Sequence, residues 1–170
     1  MIVEDGTGLN NANSYVESGY ADDYFSVRSN DFWSKLEEEK KESCLIRATD
    51  YIDSAFKWLG TKKTQEQALK FPRKDLIDTD GYSVDGIPNV LKMAVCECAL
   101  LISKGTEMFK KQSDKGAVTS ETIGGALSFS YDVSQKIKDS SAYDSINLRL
   151  RGLYEDSSKP KIYSGKVSRA

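Results

Sequence analysis

The run from Ile87 to Lys104 constrains the fold most, because it has so little polar surface to give to water. Pro88 stands at its start, where the missing N–H would have had no partner in the first turn of a helix. Gly105 stands at its end, suited to the left-handed conformation just past a helix terminus. Between them lie Val90, Leu91, Met93, Ala94, Val95, Cys96, Cys98, Ala99, Leu100, Leu101 and Ile102. At 100° per residue, Asn89, Lys92, Glu97, Ser103 and Lys104 fall in an arc of roughly 140°, and everything outside it is apolar. A helix of that kind is buried on most of its circumference. Met93, Cys96 and Leu100 interrupt even the polar arc, at helical spacing. Two readings follow: a central core helix, which is favoured, or a helix whose Met93/Cys96/Leu100 line meets another subunit.

The rest of the chain is built to surround such a helix. Its 170 residues suit one domain with extensions, and 39% hydrophobic residues suffice for a modest core. Mean hydropathy is −0.51, and no run approaches the length of a membrane-spanning helix. The acidic start, Met1 to Gly6, lacks a signal-peptide pattern, so a cytoplasmic protein is expected. There is no histidine, which removes Ser-His-Asp and Cys-His catalysis and every histidine-containing metal site. Cys44, Cys96 and Cys98 form no Cys-x-x-Cys pair and sit in apolar helical pattern, so they read as small hydrophobes in a reducing compartment. No enzyme, metal or cofactor is expected.

The net charge of −2 conceals an asymmetry. Residues 151–170 carry five basic groups and two acidic ones, a net of +3, which leaves 19 basic and 24 acidic groups, a net of −5, on the other 150 residues. An acidic body with a basic tail suggests that the tail binds something acidic, another copy of the body included.

In chain order, residues 1–13 read as an extended lead-in. Ser14, with Glu17 at capping-box spacing, or Ser18 would cap a first helix that carries Tyr20, Tyr24, Phe25 and Val27 and ends near Ser29. Phe32 and Trp33 lie in a short turn. Glu37 to Glu42 then opens a long helix, with acidic residues suited to its first turn, Glu37 able to meet Lys41, and the charge run as a solvated face. Cys44, Leu45, Ala48, Tyr51, Ile52, Ala55 and Phe56 form its apolar arc, with Arg47, Asp50 and Asp53 opposite.

Residues 57–74 set Lys57, Lys62, Lys63, Lys70, Arg73 and Lys74 against a single acid, Glu66, and interleave them with Trp58 and Phe71. Cations with aromatics can hold single-stranded nucleic acid, by charge along the backbone and stacking on the bases. Lys57, Trp58, Lys62 and Lys63 are the candidate contacts. The alternative, which is favoured, is a loop around a short helix from Gln65 to Leu69, with the aromatics tucked onto the bundle. Asp78-Thr79-Asp80-Gly81 resembles part of a calcium loop, but Leu76 and Ile87 stand where an EF-hand needs ligands, so a turn is expected.

After a polar connection from Phe109 to Lys115, Leu127, Phe129, Tyr131 and Val133 alternate with Ser128, Ser130, Asp132 and Ser134. With Val118 to Ile123 as partner this predicts a hairpin over about 117–134, whose apolar face must be covered, since a lone hairpin is marginal in water. Leu127, Phe129 and Tyr131 are therefore candidate subunit contacts beside Met93, Cys96 and Leu100. Tyr143, Ile146, Leu150 and Leu153 predict a last helix, although Ile146, Leu148 and Leu150 would also fit a strand. Residues 156–170 are expected to be a flexible arm, with Lys159, Lys161 and Lys166 for charge and Ile162 and Tyr163 as anchors. The expected fold is mainly α: a bundle of about four helices, with a hairpin insertion and an extended C-terminal arm.

Several segments together resemble one family. They are Met1-Ile2-Val3-Glu4-Asp5-Gly6-Thr7-Gly8 with Asn13-Ser14-Tyr15-Val16, Leu45 to Asp53, Gln67 to Arg73, and Ile87-Pro88. The chain resembles the head–tail connector (adaptor) proteins of long-tailed bacteriophages, relatives of which are labelled DnaT-like single-stranded-DNA-binding proteins. Phe71 stands where that family typically has Trp, and the tail after Tyr154 is least covered. The resemblance implies a virion protein of the neck. It would be a homo-oligomeric ring of about twelve subunits under the portal, with two different patches on each subunit. Portal and a tail-side completion or terminator protein would be its partners, and double-stranded DNA would pass through without sequence recognition. The alternative kept beside it is a single-stranded-DNA-binding accessory protein.

Overall fold

A computed structural model describes residues 1–108, 121–123, 127–129 and 143–155. Two long helices carry the body: α3 (Glu38–Ala55) and α4 (Asn89–Ser103). α1 (Ser18–Ser26), the single turn α2 (Asp31–Ser34) and α5 (residues 143–150) pack around them. α4 is the core helix its composition predicts. Leu91, Ala94, Val95, Cys96, Cys98, Ala99, Leu100 and Ile102 are all buried. Pro88 supplies its N-cap position in extended conformation, and Gly105 follows at φ +92°.

Cys96 and Leu100, candidates for a subunit contact, are instead buried within the chain itself, and Met93 is half-buried against the same core. The reason is that α1 covers this side of α4. The Tyr24 hydroxyl donates to Glu97 at 2.6 Å, and Lys92 lies 5.6 Å from the centre of the Tyr20 ring. Arg149 of α5 closes the flank, 3.5 Å from Glu97 and 3.8 Å from the Met93 sulfur.

Two expectations about helix ends and faces are corrected. Lys41 does not lie on a solvated face beside Glu37. It is buried, 2.9 Å from Asp22 of α1, and Asp22 also accepts from the Trp33 indole at 2.8 Å. A paired, hydrogen-bonded cation can be buried where an unpaired one cannot. Neither serine caps α1 through its side chain. Glu17 is the N-cap residue, and Ser14 is occupied by a bridge to Val3 and by a bond from its hydroxyl to the Val16 carbonyl at 2.8 Å.

Two small antiparallel pairs complete the described structure. β1 (Thr61–Lys62) pairs with β2 (Arg73–Lys74), in the register Thr61 to Lys74. β3 (Glu121–Ile123) pairs with β4 (Leu127–Phe129), in the register Ile123 to Leu127, which is the expected hairpin. Trp58 forms a further antiparallel bridge with Tyr154, flanked by Leu59 N–H to Leu153 O at 2.9 Å and Glu155 N–H to Lys57 O at 2.8 Å. On α5, Ile146 and Leu150 are buried, and Leu153 beyond it, so the helical alternative holds over the strand. Among the described residues no helix is long and apolar enough to cross a membrane.

Candidate functional site

The basic segment 57–74 is an ordered strap across one end of α3, held from within. Gly60 turns it at φ +68°, where a Cβ would meet the Lys74 carbonyl oxygen at 2.4 Å, so only glycine fits. Arg73 reaches back across the β1–β2 pair. Its guanidinium donates to the carbonyls of Leu59, Gly60 (2.7 Å) and Lys70 (3.0 Å). The expected helix from Gln65 to Leu69 does not form. Gln67 is buried, and its amide donates to the Leu69 and Pro72 carbonyls while its oxygen accepts from Thr64 N–H. That side chain does for the loop what helical hydrogen bonds would have done.

The interleaved aromatics face inward. Phe71 is wholly buried and Trp58 is 7% exposed. They meet edge to face at 5.0 Å, within a cluster that adds Phe56 and Tyr154 beside Trp58, and Tyr15 beside Phe71. The lysines are largely committed too. Lys57 is exposed and pairs with Glu155 at 2.6 Å, Lys62 donates to the Gln67 carbonyl at 3.0 Å, and Lys63 donates to the Gly6 carbonyl at 2.9 Å. Of the four candidate nucleic-acid contacts, only the cations reach the surface, and each holds a partner within the chain.

The motif residues at the N-terminus hold this strap to the body. Glu4 is 3% exposed, and its carboxylate accepts from the backbone N–H groups of Gly6 (2.9 Å), Gly8 (2.8 Å) and Leu9 (2.8 Å). The Leu9 carbonyl in turn accepts from Ala68 N–H at 2.8 Å. The Tyr15 hydroxyl donates to Asp53 and accepts from Phe71 N–H at 3.0 Å, while Asp53 accepts from Lys70 N–H at 2.8 Å. Burial pushes the Asp53 pKa up against these hydrogen bonds. It also pushes the Tyr15 hydroxyl up, helped by the charge on Asp53. Sequence periodicity put Asp53 on a solvent face, because nothing in α3 itself points to Tyr15, 38 residues earlier.

The acidic stretch is a turn. Ile77 bridges Ser83, and the Asp78 carboxylate accepts from the N–H groups of Asp80 (3.0 Å) and Tyr82 (2.8 Å). Among the described residues no group of three or more histidine, cysteine, aspartate or glutamate side chains is placed to hold a metal. Of the hairpin contacts, Leu127 and Phe129 lie on β4, where only the backbone is described, and Tyr131 lies outside the described residues, as do Lys159, Lys161, Ile162, Tyr163 and Lys166.

The family described as "Putative DnaT-like ssDNA binding protein" matches residues 1–170, the whole chain. The chain belongs to that family. Comparison with curated proteins gives no match, and comparison with solved structures gives none.

Proposed function

We propose that the protein is a structural connector, assembling as a ring between portal and tail around passing double-stranded DNA. The observation that carries this reading is the use the body makes of its basic segment. Trp58 and Phe71, the aromatics a single-strand binder would offer to bases, are interior side chains, and Lys62, Lys63 and Arg73 each hold a backbone carbonyl. Single-strand binders keep stacking faces and cations open to the ligand. The residues behind the connector resemblance are spent on hydrogen bonds and packing within the body, which suits a part that is assembled. In this reading the protein performs no chemistry, works in the virion neck, and has its own copies, the portal and a tail-side terminator as partners.

A second reading, a single-stranded-DNA-binding accessory protein, is favoured by the family description itself. It would rely on exposed cations such as Lys57, Lys70 and Lys74. Native mass spectrometry of the protein, alone and with a portal, separates the two. A connector gives a large closed oligomer in at least one of these conditions, and its oligonucleotide affinity is micromolar or weaker at physiological salt. A protein that stays small in both, and binds single strands tightly through Lys70 and Lys74, overturns the connector reading.

A further inference from the structure

Where α1 packs on α4, three cations surround one acid. Tyr20 and Tyr24 stand four residues apart on α1, and Arg28 follows four residues on, along the same side. The Arg28 guanidinium lies 3.6 Å from the centre of the Tyr24 ring and donates to the Tyr24 carbonyl at 2.8 Å. Lys92 of α4 lies over the Tyr20 ring, and Arg149 of α5 reaches the same Glu97 oxygen that accepts from the Tyr24 hydroxyl. Electrostatics tie the set together. Burial raises the Tyr20 and Tyr24 hydroxyls and the Cys96 thiol, and Arg28 pulls against all three, as Arg149 does against Tyr24.

These charges do not cancel. Glu97 pairs with Arg149 at 3.5 Å. Among the described residues neither Arg28 nor Lys92 has a carboxylate within ion-pair distance. Of the two acids on α1, Asp22 is turned to Lys41 and Trp33, and Asp23 is exposed. Arg28 is itself exposed, and Lys92 and Arg149 are half-exposed. An aromatic ring beneath a cation fixes its position without neutralising it. A guanidinium has five N–H donors, and the Tyr24 carbonyl engages one end of this one, which leaves donors for an outside acceptor.

We infer that this face of α1, α4 and α5 binds the phosphodiester backbone of nucleic acid, with Arg28 and Lys92 as phosphate contacts and Arg149 adding to the positive field. The rings beneath the two contacts are one helical turn apart, about 6 Å along the axis. Cations displaced in that way suit successive charges of a polymer better than one small anion. The rings are occupied by the cations, so bases do not stack on them and binding carries no sequence preference. The inference rests on the contact with DNA that both readings of the function contain, and it places that contact away from the basic segment 57–74.

The test is fluorescence anisotropy of the full chain with a labelled oligothymidylate and with a mixed-sequence duplex of equal length, at about 50 mM salt and at physiological salt. One variant removes the phosphate contacts, Arg28→Gln with Lys92→Gln. A charge-matched control, Lys70→Gln with Lys74→Gln, removes exposed cations of the strap instead. The first should lose roughly tenfold in affinity at low salt. Its slope of log affinity against log salt should flatten by about 1.4 on the single strand and about 1.8 on the duplex, the share of two phosphate contacts. The control should lose far less. Glu97→Gln removes the opposing acid, keeps an oxygen for the Tyr24 hydroxyl and should bind several-fold tighter, a gain that loss of packing cannot produce. If Arg28→Gln lowers the melting temperature, Lys92→Gln alone carries the comparison at half the change in slope. Equal losses from the two double variants overturn the inference, as does a wild type that binds neither strand at low salt, or a Glu97→Gln variant no tighter than wild type. Polyglutamate that competes as well as unlabelled oligonucleotide also overturns it, by making an acidic protein surface the partner. Preference between the single strand and the duplex separates the two sources of phosphate. A ring that forms from the Arg28→Gln, Lys92→Gln variant without holding DNA supports the inference and leaves the connector standing. A wild type that binds through this face but forms no ring, alone or with a portal, keeps the inference and removes the connector.

Discussion

Glu4→Gln tests whether the N-terminal motif is scaffold, because it changes a charge and almost no volume. The carboxylate is nearly buried and accepts three backbone N–H groups, two on one oxygen and one on the other. A carboxamide has a single acceptor oxygen. Turned toward Gly6 and Gly8 it keeps two bonds, now neutral, and presents its NH2 to the Leu9 N–H. Bonds to a charged group are worth about 1.5–3 kcal/mol and neutral ones about 0.5–1.5, so the two survivors lose about 2 kcal/mol together. The unpaired Leu9 donor costs about 1–3 kcal/mol more. Burying a neutral amide is easier than burying a charge, which offsets part of this and leaves a net loss of about 2–4 kcal/mol. For a chain of this length that lowers Tm by roughly 5–15 °C. Urea unfolding followed by the fluorescence of Trp33 and Trp58 measures it, with the m-value unchanged. Asp5→Asn, at an exposed neighbouring carboxylate, should shift the midpoint far less. If Glu4→Gln stays within about 0.5 kcal/mol of wild type, the range of an ordinary surface change, the loop is not held by its carboxylate and the reasoning fails.

Three further outcomes are expected. Trp58→Ala should cost about 3–5 kcal/mol as a large core truncation, while Trp58→Phe should leave oligonucleotide anisotropy unchanged; a drop in binding with intact folding would place Trp58 in a nucleic-acid site. Burial pushes the Cys96 and Cys98 thiols up to about 12, so in a thiol-reagent titration near pH 8 they should stay silent until denaturant is added. Burial, with the Glu97 hydrogen bond, pushes Tyr24 up to about 12, and burial does the same for Tyr51, against 10.0 for the free side chain. The unfolded chain then ionises first, so unfolding free energies measured in alkaline buffers should fall from about pH 10 to about pH 12 on account of these groups, and a flat profile there would contradict the assignment.

The long helices were legible because their signals are local. The period of α4, its Pro88 and Gly105 punctuation, and the stripe of Tyr143, Ile146, Leu150 and Leu153 need no knowledge of the rest of the chain. The polar anchors were not legible, since each depends on a partner far away in sequence. Lys41 looks like a surface residue until Asp22 stands beside it, and Asp53 until Tyr15 does. The surplus apolar line on α4 is unusual for a surface helix, but α1 and α5 cover it within one chain. The β1–β2 pair is too short to alternate, and its register depends on Arg73 and Gly60. In the basic segment, composition could not say whether Trp58 and Phe71 turn inward, and that orientation decides what the segment can bind.

The pairing of residues 57–59 with residues 153–155 also has a bearing on how the protein is made. Phe56 and Trp58 emerge from the ribosome long before Tyr154, which packs 4.7 Å from the Phe56 ring, and before Leu153 and Glu155, which complete the backbone pairing. Nearly a hundred residues separate Lys57 from Glu155, and closing so long a loop is entropically costly until other contacts have shortened it. During synthesis the Trp58 side of the body therefore waits for Leu153, Tyr154 and Glu155. Its fluorescence should mature late, after α3 and α4 have already met.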